Sequence, residues 1–95
     1  LCALSYLDLG QNRIKYINLN LLTNLENLIH FNLEYNQIQQ LNDFTFINLI
    51  KLEYLNLRHN SIKFLAKNSF DNLDLNLISL HLDFNKIKYL NGSLR

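Results

Sequence analysis

Apolar residues recur along this chain on a fixed schedule. Leu4-x-x-Leu7-x-Leu9-x-x-Asn12-x-Ile14 is followed by Leu28-x-x-Phe31-x-Leu33-x-x-Asn36-x-Ile38. Leu52-x-x-Leu55-x-Leu57-x-x-Asn60-x-Ile62 and Leu77-x-x-Leu80-x-Leu82-x-x-Asn85-x-Ile87 complete the set. The units start near 4, 28, 52 and 77, at intervals of 24, 24 and 25 residues. Further apolar columns follow in each unit: Ile17, Leu41, Leu65 and Leu90; then Leu22, Phe46 and Phe70; then Leu25, Leu49 and Leu73. Leu7-x-Leu9 and its equivalents carry the period-2 alternation of a strand with one buried face. One such strand cannot bury its apolar side alone. Stacking the units side by side predicts a parallel sheet over one continuous core. The intervening stretches, roughly 15–27, 39–51, 63–76 and 88–95, match neither the helical nor the strand period. They are expected as turns and short helical pieces on the outer side, with the extra residue of the third unit bulging around 71–76.

Composition supports the same architecture. Of 95 residues, 23 are Leu and 16 are Asn, while Pro, Val, Trp and Met are absent. Asn at that frequency is out of place inside ordinary helices and strands, because its amide competes for backbone bonds. A turn that needs Asn once per unit accounts for the excess. Asn12, Asn36, Asn60 and Asn85 each follow a strand where the chain turns inward. There the amide is expected to donate to, and accept from, backbone groups of its own and neighbouring turns, forming a structural Asn ladder.

This pattern resembles the leucine-rich repeat family over essentially the whole chain, and the 24-residue unit with Leu or Phe in the late column is similar to its typical subclass. The resemblance implies an α/β solenoid, a horseshoe segment with a short parallel sheet on the concave face and irregular or short helical convex segments. It also implies recognition of a protein, or of a glycan, on that concave face. Most relatives in the subclass are extracellular: receptors, adhesion proteins and innate-immune recognition proteins. The resemblance carries over no catalytic residue.

Residues beside the strand leucines are expected to point outward onto the concave face. By column these are Tyr6, His30, Tyr54 and Ser79; Asp8, Asn32, Asn56 and His81; Gly10, Glu34, Arg58 and Asp83; and Gln11, Tyr35, His59 and Phe84. Glu34, Arg58 and Asp83 are expected to form a ladder of alternating charge. Tyr and Arg concentrate at the energetic centres of interfaces. The partner-binding candidates are therefore Tyr6, Asp8, His30, Asn32, Glu34, Tyr35, Tyr54, Asn56, Arg58, His59, His81, Asp83 and Phe84. Four strands at ~4.8 Å, with about five outward residues each, make a patch of roughly 300 Å² in projection. A standard interface takes ~800 Å² per partner, so further repeats or the flanks are expected to contribute.

Other chemistry is sparse. Nine basic and eight acidic residues give a formal charge of +1, which argues against a nucleic-acid partner that would need many phosphates neutralised. No stretch of ~20 apolar residues suggests a membrane span, and no membrane contact by this segment is expected. The three histidines fall in three different columns, so a metal site is not expected. No nucleophile–base pair or Gly-rich phosphate loop points to an enzyme or a cofactor. Lys15, Lys63 and Lys88 share a column suited either to a solvated edge or to a polyanion. Asn91-Gly92-Ser93 is an N-glycosylation sequon, compatible with an extracellular or cell-surface location, although Cys2, a lone cysteine, also permits an intracellular scaffold. The whole of 1–95 reads as a single array. Leu1 sits in the column of Leu25 and Leu94 falls one residue short of that of Leu22. Both ends are therefore expected to be cut within a repeat and uncapped, continuing into further chain or pairing with a second copy. The alternative reading is a structural protein that self-associates through those open ends and edges.

Overall fold

The computed structural model describes residues 3–88. Leu1, Cys2, Leu90, Asn91 and Leu94 lie outside the described residues, and with them the sequon and the terminal members of two columns.

Each unit contributes one three-residue strand to a parallel sheet: β1 (Tyr6–Asp8), β2 (His30–Asn32), β4 (Tyr54–Asn56) and β6 (Ser79–His81). They lie side by side in the order β1-β2-β4-β6. The register pairs Leu7 with Phe31, Phe31 with Leu55, and Leu55 with Leu80. The column spacing read from the sequence is thus the strand register itself. Each central residue turns inward, and its two neighbours turn outward because successive side chains on a strand alternate.

Behind the sheet, the columns stack into a core. Leu28, Phe31, Leu33, Ile38, Leu41, Phe46, Leu49, Leu52, Leu55, Leu57, Ile62 and Leu65 are buried. In the first and fourth units Leu7, Leu9, Ile14, Leu80, Leu82 and Ile87 are only partly buried, whereas Leu22 and Leu25 of the first unit are buried. Phe46 and Phe70 stack across the units with ring centroids 6.2 Å apart and planes 2° apart.

The segments between the strands contain more structure than turns and helical pieces, which corrects the sequence reading. Gln40–Leu41 (β3) and Phe64–Leu65 (β5) form a second parallel ladder. Its backbone bonding begins earlier, with Gln37 N–H donating to Ile14 O at 2.9 Å, Ser61 N–H to Ile38 O at 2.9 Å and Lys86 N–H to Ile62 O at 3.0 Å. Two-residue strands carry too little alternation to register as periodicity. The first unit has a short helix, α1 (Leu19–Leu22), whose N-cap Asn18 accepts from the Asn20 N–H at 2.9 Å.

The extra residue of the third unit lies between Leu73 and Leu77. Leu25 to Leu28 and Leu49 to Leu52 are three residues apart and close with i→i+3 bonds. Leu77 N–H instead donates to Leu73 O at 2.9 Å, an i→i+4 bond. A 3₁₀ turn over Leu73–Leu75 takes up the insertion, preceded by Asn72 at φ 72°. Asn tolerates the left-handed region better than most residues.

Candidate partner-binding face

Two rows of polar side chains fix the outward face to the frame. The first is the set of Asn turns. Asn36 Nδ2 donates to Leu9 O at 3.0 Å in the preceding unit and to Leu33 O at 2.9 Å in its own, while its Oδ1 accepts from the Ile14 N–H at 3.0 Å. Asn60 repeats this with Leu33 O at 3.0 Å, Leu57 O at 3.1 Å and the Ile38 N–H at 3.1 Å. Asn85 does the same with Leu57 O, Leu82 O and the Ile62 N–H. Asn12 bonds only to Leu9 O and Gly10 O of its own unit and is exposed.

The second row is Asp8, Asn32 and Asn56 of the outward column. Their side-chain oxygens accept from the backbone N–H two residues on, at Gly10 (2.9 Å), Glu34 (3.0 Å) and Arg58 (3.0 Å). Short acids and amides do this readily at strand ends. Gly10 is closely packed there: a Cβ would meet Asp8 Oδ1 at 3.1 Å and Asn32 Nδ2 at 3.4 Å. His81, the fourth of the column, shares a hydrogen bond of 2.8 Å with Ser79 Oγ instead.

The charge ladder is only half present. Arg58 Nε pairs with Asp83 Oδ2 at 2.9 Å, the one ion pair among the described residues. Glu34 does not close on Arg58; its Oε2 accepts from Asn56 Nδ2 at 3.2 Å. Both ends of the ion pair are well exposed, so its contribution is ~0–1 kcal/mol.

The rings, by contrast, gather into two stacks. In the first strand column, His30 lies 4.3 Å from Tyr54 with planes 11° apart, and Tyr6 leans on His30 at 5.4 Å. In the column before the Asn turn, His59 lies between Tyr35 (4.3 Å, 7°) and Phe84 (4.2 Å, 6°). Arg58 adds a guanidinium 5.6 Å from the Phe84 ring centroid. Side chains in one column sit ~4.8 Å apart on parallel strands, close to the contact distance of parallel rings. The second stack has a backbone origin as well. Gln11, Tyr35, His59 and Phe84 have φ of 57°, 57°, 57° and 62°. A bulky residue with positive φ is uncommon outside tight turns, and here the same left-handed step in every unit aims the same position outward.

Tyr6, Tyr35, Tyr54 and Phe84 are all exposed. Tyr6, His30, Tyr54 and His81 also line a shallow depression of about 220 Å³ floored by Phe31 and Leu55. Among the described residues, no three His, Cys, Asp or Glu side chains group as metal ligands. No helix among them is long and apolar enough to cross a membrane. The sequence reading missed Arg13 and Lys86, which flank the lysine column two positions earlier in the repeat. The signal was there: both sit directly after the Asn turn.

Parallel strands in unit register, an inward Asn turn after each and a ringed outward face define a repeat protein of the solenoid class. The family model for the leucine rich repeat matches residues 27–87, more than half of the chain, and the chain belongs to the leucine-rich repeat family. A comparison with curated proteins gave no match. Leucine-rich repeat domains generally mediate protein–protein interaction and are typically non-enzymatic.

Proposed function

We propose that this protein recognises a protein partner through the outward face of its four-stranded sheet, as part of an extracellular or cell-surface receptor, adhesion or innate-immune recognition protein. The observation that carries the reading is the pair of exposed ring stacks, Tyr6–His30–Tyr54 and Tyr35–His59–Phe84. Rings packed face to face offer their edges to a partner. An aromatic edge is the positive part of the ring quadrupole, so it suits carbonyl oxygens and the faces of a partner's rings. Sugar rings stack on aromatic faces, which are largely covered here, so a protein surface fits this face better than a glycan does. The rings are also already ordered by one another, which lowers the entropy lost on binding.

The test is the triple variant Tyr35→Ala, Tyr54→Ala and Arg58→Ala. It removes exposed side chains and two ring contacts but no core residue, so the fold is retained with a lowered thermal midpoint and partner binding is lost. Sedimentation of the same variant addresses the second reading, self-association through apolar flanks, which the exposed Leu75 and Ile78 favour. Under that reading the variant self-associates as the parent does.

A further inference from the structure

The flank that follows each Asn turn has a character of its own. Residues 13, 37, 61 and 86 stand in one row and residues 15, 39, 63 and 88 in the next, tied across the units by backbone bonds. These include Lys63 N–H to Gln39 O at 2.9 Å and Lys88 N–H to Lys63 O at 3.0 Å. Between the rows the isoleucines turn inward; Ile38 and Ile62 are buried. The outward positions are occupied by five cations, Arg13, Lys15, Lys63, Lys86 and Lys88, all exposed. Gln37, Gln39 and Ser61 fill the rest, and neither row contains a carboxylate. Since the one ion pair among the described residues is Arg58 with Asp83, no carboxylate there neutralises the five.

This concentration matters because the chain as a whole carries only +1. Charge is sorted between two surfaces: Asp8, Glu34 and Asp83 stand on the sheet face with Arg58, which pairs with Asp83, and five cations crowd the neighbouring flank. Four rows ~4.8 Å apart make a ridge ~14 Å long, and its two files lie ~7 Å apart. An array of this shape, held rigid by a backbone ladder, matches a narrow linear polyanion lying across the units.

We infer that this ridge is a binding site for a sulfated polysaccharide, separate from the sheet face and independent of the reading given for it. Clustered Lys and Arg on one surface attract polyanions of this kind. The gaps favour a sugar chain in particular, because Gln37, Gln39 and Ser61 offer amides and a hydroxyl to its hydroxyl groups between the charged contacts. Single-stranded nucleic acid is a poorer fit. Such sites hold successive bases on aromatic rings, whereas among the described residues the rings bordering this ridge, Tyr16 and Phe64, are two units apart, or ~10 Å. A duplex is wider than the ridge and would bring phosphates over the acidic sheet face.

The test uses heparin as the probe, titrated against the protein as salt is raised. Five contacts predict that log K falls against log salt with a slope of about −3.5, by counterion release from a single chain. The variant Lys63→Gln, Lys86→Gln and Lys88→Gln should bind heparin at least ~10-fold more weakly and flatten the slope by about 2, with an unchanged thermal midpoint. Desulfated heparin should not bind, and the Tyr35→Ala, Tyr54→Ala variant should bind heparin as the parent does. Parental affinity in the lysine variant overturns the proposal, as does absence of heparin binding at low salt. Single-stranded DNA or anionic vesicles displacing heparin at equal or lower charge concentration overturns the choice of ligand.

Discussion

The Asn60 amide reaches back 27 residues to donate to the Leu33 carbonyl at 3.0 Å, joining one turn to the turn beneath it. The same Nδ2 serves Leu57 O, and Oδ1 takes the Ile38 N–H. Asn60 is buried, so water cannot replace these partners. Asn60→Leu should cost at least ~3 kcal/mol, because each orphaned buried group costs ~1–3 kcal/mol. Asn36→Leu should behave alike. Asn12 bonds only within its own exposed turn, so Asn12→Leu should cost about 1 kcal/mol or less. Denaturant midpoints of the three variants provide the check; equal losses would mean that the inter-unit bonds contribute nothing.

Much of the frame was legible because the repeat states each position several times. The Leu columns coincide with the register of β1, β2, β4 and β6, and the Asn column with the turns. What stayed hidden depends on backbone bonds that leave no side-chain period. The β3–β5 ladder is one case. Thr45 and Ser69 are another: both are buried, and each hydroxyl donates to the carbonyl three residues back, at Asn42 and Ala66. The two share a repeat column, but a hydroxyl residue beside a phenylalanine does not by its type announce that it is buried.

The ring stack gives a prediction with an internal control. His59 and Gln11 share the same column and the same φ of 57°. Replacing either with Ala keeps the left-handed backbone cost, so the difference between the two variants reports the stack. His59 contacts rings on both sides, and an aromatic contact is worth ≈ 0.5–1.5 kcal/mol beyond burial. His59→Ala should therefore lose ~1–3 kcal/mol more than Gln11→Ala in chemical denaturation. Equal losses would show that the rings lie together without attraction.

The candidate face was only half legible. Which residues point outward follows from strand alternation, and the thirteen named residues do share the sheet side or the turn beside it. How they pair does not follow. Asp8, Asn32 and Asn56 are drawn to the backbone two residues on, and Glu34 to Asn56 rather than Arg58. Those choices depend on distances of a few tenths of an ångström, which a column alignment does not contain.

The ion pair on the face makes a sharper claim about binding than about folding. Asp83→Asn removes the partner of Arg58 at a site open to solvent, so stability should change by less than ~1 kcal/mol. The guanidinium, however, is held over the Phe84 ring by that carboxylate. Once released, it no longer presents a fixed group to a partner. Partner affinity should fall while the thermal midpoint stays in place. A midpoint drop without an affinity change would assign the pair to the fold instead.

The 25-residue spacing of the third unit can be tested by deletion. Asp74 is exposed and lies within the 3₁₀ turn that absorbs the extra residue. Removing it returns Leu73 and Leu77 to the three-residue separation of Leu25–Leu28 and Leu49–Leu52, where an i→i+3 bond closes the turn. The strand register downstream is preserved, because β6 pairs through Leu80 and not through the turn. Deleting Asn48, equally exposed, instead shortens a unit that is already at 24 residues. That displaces Leu49 or Leu52 from the core, and losing a buried Leu costs 2–5 kcal/mol. The Asp74 deletion should thus unfold within ~1 kcal/mol of the parent and the Asn48 deletion far below it. The reverse order would mean that the insertion is a required part of the fourth strand's approach rather than a tolerated excess.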